Sequence, residues 1–239
     1  MTTRRYVLTL LAMLLPVLAI NAKEPDKKES DMPSFTWGAR IGFAASGTYV
    51  TNALIDGHKL TDYTQDTQVG NFGAFMFRFN SRRLLIQTGI GLNMNKSSFH
   101  FDTSDWAAEG TEAKEITCSY SMLSMTIPVQ LGMHIINRPP YCMSVFTGPR
   151  LRYTPSKYYS VTYTGLDPYS FTDSPSELTA GWTAGMSIQI GRTFLDFEYE
   201  ATINNISHKM YDTSGANPSP DYALSRKVSI ISFSYGIMF

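Results

Sequence analysis

Eight stretches of this chain alternate apolar residues with small or polar ones at a period of two, and this repeat restricts the fold more than any other feature. Side chains two apart face the same way only in an extended strand, so each stretch has one greasy face and one polar face. The first, about 36–48, sets Trp37, Ala39, Ile41 and Phe43 against Gly38, Arg40, Gly42 and Ala44. The others run at about 70–80, 84–96, 116–136, 141–154, 178–190, 193–206 and 229–239. In the last, Ile231, Phe233, Tyr235, Ile237 and Phe239 oppose Ser232, Ser234, Gly236 and Met238. No stretch shows helical periodicity of comparable strength, and beyond the N-terminal 22 residues no apolar run reaches the ~20 residues of a helical span.

The connections alternate as well. Asn80-Ser81-Arg82-Arg83, Asn137-Arg138-Pro139-Pro140 and Gly191-Arg192 are tight turns, whereas about 49–69, 97–115, 155–177 and 207–225 are long and polar. Such long loops are unusual in a soluble domain. Short turns at one end and long loops at the other are the pattern of a transmembrane barrel, with turns in the periplasm and loops outside. The expectation is an all-β, eight-stranded, antiparallel up-and-down barrel whose two termini lie on the turn side.

Glycines and charges orient the two faces. Gly38, Gly42, Gly89, Gly91, Gly132, Gly148, Gly181, Gly185 and Gly236 share the polar face with Arg40, Arg78, Arg150, Arg152, Asp196, Glu198 and Glu200. An arginine facing lipid at the midplane costs ~2–4 kcal/mol, and an eight-stranded bore is only wide enough to be filled by side chains. The polar face is therefore expected inside, as a charge-balanced plug, with the apolar face in lipid. The slightly negative mean hydropathy excludes a helical membrane bundle but not a barrel, half of whose strand residues are polar. A net charge of zero argues against a nucleic-acid partner.

Residues 1–22 read as a signal peptide: Arg4 and Arg5, an apolar run from Tyr6 to Ile20, then Asn21-Ala22. Residues 23–35 read as a flexible periplasmic lead-in and 36–239 as the barrel. Tyr235 and Phe239 in the last strand resemble the C-terminal insertion signal of outer-membrane barrels, which would make the barrel assembly machinery a partner. Outer-membrane lipid and an unidentified extracellular or periplasmic partner complete the expected contacts, and the chain is expected to be a monomer.

Several motifs also fall into a recognisable order. Gly70-x-x-Gly73-x-Phe75-x-Phe77-Arg78, the segment Leu84–Asn93, Ile127-Pro128 in the fourth stretch, Gly148-Pro149-Arg150 in the fifth, and Asp196-x-x-Tyr199 running to Asn205-Ile206 resemble the PorT-like outer-membrane beta-barrel family. The resemblance spans about Trp37 to Phe239. It implies the fold and an outer-membrane location; members are mostly of unknown activity, and the namesake is linked to a secretion machinery.

Candidate chemistry is sparse. Pairing about the turn at 137–140 would leave Cys118 and Cys142 on the order of 55 Å apart, far beyond disulfide reach, so two free thiols are expected. His58, His100, His134 and His208 lack metal-ligand spacing and read as solvated loop or turn residues; no metal or cofactor is implied. His100, with Ser98, Asp102 and Ser104, is the one cluster that would suit a lipid-modifying enzyme. A narrow passive pore or a soluble lipocalin-like barrel would also be compatible with the alternation. Tyr153, Tyr158, Tyr159, Tyr163 and Tyr169 suit either a binding surface or an interfacial girdle. Pro128, which has no N–H to donate, predicts a bulge or a missing ladder bond.

Overall fold

The computed structural model describes residues 33–55, 58–59, 63–102, 115–164, 171–212 and 223–239. The expected leader 1–22, most of the lead-in, and Ser104 and Tyr169 lie outside the described residues. Eight strands form the wall: β1 (Phe35–Ile55), β2 (Gln68–Ser81), β3 (Leu84–Asp102), β4 (Glu115–Arg138), β5 (Tyr141–Tyr153), β6 (Leu178–Ile190), β7 (Thr193–Thr202) and β8 (Ala223–Met238). Each pairs antiparallel with the next. β8 returns to β1 from Gly38↔Met238 to Leu54↔Ala223, which closes the ring.

Over the apolar band the alternation sorts as expected. Ile41, Phe43 and Phe75 are 72%, 64% and 63% exposed, while Arg40, Arg78 and Glu198, of opposite parity, are buried in the bore. Phe146, an aromatic residue with the parity of the polar face, is also in the bore. A Cβ added to Gly185 would come 2.7 Å from its ring, so the glycine is what gives that ring room. Phe72 lies against Gly42 in the same way.

The long connections are a correction. β1 runs to Ile55, β3 to Asp102, and β8 starts at Ala223, each six or more residues beyond its apolar alternation. Short strands join them: Tyr63–Asp66 pairs with β3, Tyr159–Thr164 with β4, and Phe171–Pro175 with Ser207–Asp212, which reaches β8. The wall thus continues past the apolar band as a collar. Parity is kept there while polarity inverts. On β3 the outward Ile90, Leu92 and Met94 give way to Lys96 and His100, with the buried Ser98 between them, and the inward Gly91 and Asn93 give way to Phe99 and Phe101. On β4 the outward side becomes Ser121, Ser119 and Thr117, and the inward side Met122, Tyr120 and Cys118. Lipid outside and ions inside become water outside and an apolar interior, so the inversion marks the edge of the membrane.

Pro128 produces no bulge. Its register is continuous on both sides, but the β3–β4 ladder is interrupted between Thr88↔Val129 and Gly91↔Thr126. Thr88 Oγ1 donates instead to the Pro128 carbonyl at 2.8 Å. The irregularities of the ring lie elsewhere, at Val50/Asn52 and His134/Ile136.

Gly185→Val should destabilise the barrel by about 1–3 kcal/mol, because the new side chain overpacks against Phe146. Gly73→Ala, whose Cβ meets nothing closer than 3.9 Å, should leave it unchanged. Urea titration of folding into vesicles, read by gel mobility, checks both.

Candidate functional site

Asp196, Glu198 and Glu200 occupy alternate positions of β7, so all three carboxylates face the bore, spaced by about 6.6 Å along the strand. Arginines from two other strands interleave with them. Arg40 Nη1 on β1 lies 2.9 Å from Asp196 Oδ2 and 2.6 Å from Glu198 Oε1. Arg150 on β5 bridges Glu198 and, at 2.9 Å, Glu200 Oε2. Arg152 Nη2 closes the row 2.6 Å from Glu200 Oε1, and its Nη1 donates to Ser124 Oγ at 3.1 Å. All six residues are buried. Buried ions repay their desolvation only when paired and hydrogen-bonded this closely.

Arg78 stands outside that row. Its Nε and Nη2 donate to Gln87 Oε1 at 3.0 and 2.7 Å, and its Nη1 to Gln189 Oε1 at 3.3 Å. Gln87 passes a bond to Gln130 at 3.0 Å, and Gln130 passes one to Thr183 at 2.8 Å. The structure therefore brings six of the seven expected ionic residues into one chain and holds the seventh in an amide network nearer the turns.

A third level, in the collar, escapes sequence reasoning. Arg226 of β8 is fully buried; it pairs with Asp173, hydrogen-bonds Tyr159, and has its guanidinium carbon 4.6 Å from the Tyr120 ring centroid. Tyr159 OH donates to Asp173 Oδ1 at 2.7 Å. Around it pack Phe99, Phe101, Met122, Leu224 and Val228. The parity of β8, which puts Arg226 in line with Ile230 and Ser232, is the one signal that could have found it. Its partner lies in a polar connection where no pattern points to it.

The histidines need correcting. His134 is not a solvated turn residue: it is buried on β4 in the bore, its Nδ1 2.8 Å from Ser144 Oγ and 3.2 Å from Cys142 Sγ. His100 lies on the outward face of the collar strand, its Nδ1 2.8 Å from Thr117 Oγ1 and its Nε2 2.9 Å from Asp66 Oδ2. These two partners come from neighbouring strands. Cys118 and Cys142 are both unbridged and buried. Among the described residues no group of three His, Cys, Asp or Glu side chains is placed to hold a metal ion. Tyr235 and Phe239 face outward, and Phe239 stacks on Trp37 at 4.8 Å between ring centroids. The Phe239 N–H donates to the Trp37 carbonyl at 2.7 Å, across the closing seam.

A closed antiparallel sheet that turns its aromatic rows outward and its ionic rows inward is a transmembrane β-barrel. The outer membrane protein beta-barrel domain family matches residues 26–208, and the chain belongs to that family. Its place is the cell outer membrane. No curated protein matches the sequence. Among solved structures it is similar to Ail, the attachment invasion locus protein of Yersinia pestis, at 13% identity over 87% of this chain and 100% of that one, with a TM-score of 0.41. It is also similar to the outer membrane protein OprG from Pseudomonas aeruginosa, at 10% identity over 86% and 96%, TM-score 0.47. A third is the translocator domain of the autotransporter NalP from Neisseria meningitidis, at 10% identity over 98% and 96%, TM-score 0.37.

Removing one ion of the row should cost more than removing a pair. Arg150→Met, which deprives Glu198 and Glu200 of a partner, should destabilise by about 3 kcal/mol, and adding Glu198→Gln should recover part of the loss. Equilibrium unfolding in vesicles measures this. In the collar, burial pushes the Cys118 thiol up to about 11 against the opposing pull of Arg226. Iodoacetamide at pH 8 should therefore leave it unmodified in the folded barrel and alkylate it after unfolding, as mass spectrometry would record.

Proposed function

We propose that this protein is a sealed outer-membrane barrel that acts as a structural and interaction protein, presenting its collar and extracellular connections to ligands or partners. The observation that carries the reading is the filling of the bore at three levels: the Gln-held Arg78, the ion row on β7, and the aromatic interior around Arg226. A bore occupied by interlocked side chains favours a plug over a passage. The finer family reading, that the chain is PorT-like, is supported by the motif order around Pro128, Gly148-Pro149 and Asp196, and a role beside a secretion machinery is not part of the proposal. With it go a signal peptide at 1–22, a lead-in at 23–35, a barrel from 36 to 239, and a monomer that meets lipid and the barrel assembly machinery through Tyr235 and Phe239.

One observation favours a second reading, a lipid-modifying enzyme: the hydrogen-bonded series Asp66–His100–Thr117 on the outer face of the collar. A carboxylate orienting an imidazole that touches a hydroxyl is the arrangement of an activated nucleophile. His100→Ala followed by mass spectrometry of lipid A separates the two, and an unchanged lipid A profile dismisses the enzyme.

Planar-bilayer recording of the purified chain should give no current steps; discrete conductance would overturn the sealed-bore reading. Envelope fractionation should recover the protein in the outer membrane with heat-modifiable gel mobility.

A further inference from the structure

Among the described residues the ionic bore does not balance: Arg40, Arg78, Arg150 and Arg152 face Asp196, Glu198 and Glu200, four cations against three anions. Arg78 is held by glutamine oxygens, and among the described residues no carboxylate lies within ion-pair distance of it. An excess positive charge shut into the wall of a membrane is expensive unless a counter-ion accompanies it.

There is room for one beside the row. Across the bore from β7, Ala74, Gly89 and Gly91 of β2 and β3 line a cavity of about 20 Å³. That exceeds the 10–15 Å³ or so needed to admit one water-sized occupant. Arg40, Arg150 and Arg152 line the cavity from the other side together with one carboxylate, Glu200, and Gln87, which holds Arg78, lines it too. The three lining arginines are each nine-tenths or more buried, and each has an Nε–H without a hydrogen-bond partner among the described residues. A buried donor left unmade is costly and rare. Three such donors on residues that line one cavity, with three guanidiniums there against the single carboxylate of Glu200, call for an acceptor that is itself negative.

We propose that this cavity binds one small monovalent anion of the halide class. The anion accepts from the free Nε–H groups, balances the excess cation, and occupies the cavity that these residues line. Neutral water would satisfy the donors but not the charge.

The inference rests on the sealed-bore reading, which bilayer conductance tests separately, so the two can fail independently. The full chain, folded in detergent micelles, is crystallised and soaked in sodium bromide, and bromide is located by its anomalous signal. In parallel, thermal unfolding is followed with chloride titrated against gluconate at constant ionic strength. The expected result is one bromide between the β2–β3 glycine wall and Arg150, and an unfolding midpoint that rises with chloride and saturates, as ligand linkage requires. Two variants separate charge from space. Arg78→Gln removes the excess cation, and Ala74→Leu fills the cavity while leaving every charge in place. Each should weaken halide binding at least about tenfold, one decade in the dissociation constant. Bromide at the surface only, water alone in the cavity, or identical melting in chloride and gluconate overturns the proposal in the wild-type protein. A folded variant that keeps the wild-type halide dependence overturns it as well.

Discussion

In hydrocarbon a backbone N–H has no partner except another part of the chain, so a sheet that enters lipid must close on itself. The pairing of β8 with β1, from Gly38↔Met238 upward, is the contact that meets this demand. With the ring shut, each residue of the wall faces either lipid or the bore. The burial of Arg40 and the exposure of Ile41 follow from that geometry together with strand parity. Side chains then follow the solvent on each side, apolar outward where there is lipid and polar outward where there is water.

The bore has to be solid because a ring of eight strands is narrow. Its ion row interleaves carboxylates of one strand with guanidiniums from two others, and small residues opposite make room. Glycine and aromatic ring are fitted to each other in the same space, as Gly185 is to Phe146 and Gly42 to Phe72. In the collar the filling turns apolar, and the ion pair of Arg226 with Asp173 is surrounded there by rings rather than by further charges.

The sequence is legible wherever its two faces meet two contrasting solvents. The stretch 178–190 coincides with β6, and the ionic residues are those picked out by their parity with glycine. Legibility ends at the membrane edge because the polarity of the two faces reverses there. An eye following apolar outward residues sees β3 end near Asn95, although Phe99 and Phe101 continue the inward row. His134 reads as a turn residue for a related reason, since proximity to a turn hides the fact that its parity puts it in the bore. Partnerships such as Asp173 with Arg226, or His100 with Asp66, depend on which connection folds against which strand, and local pattern carries none of that.

The collar has a consequence for how the outer surface can vary. Asp173 and Tyr159 come from the excursion between β5 and β6, Arg226 from the start of β8, and Tyr63 from the excursion between β1 and β2, where its hydroxyl meets the Val50 N–H at 3.2 Å. These ties join the stems of the excursions to the wall, and the pairing of Phe171–Pro175 with Ser207–Asp212 joins two of them to each other. Insertions and deletions between the stems can therefore accumulate at the tips while the mouth keeps its shape. What faces the surroundings is free to diverge on a mount that does not.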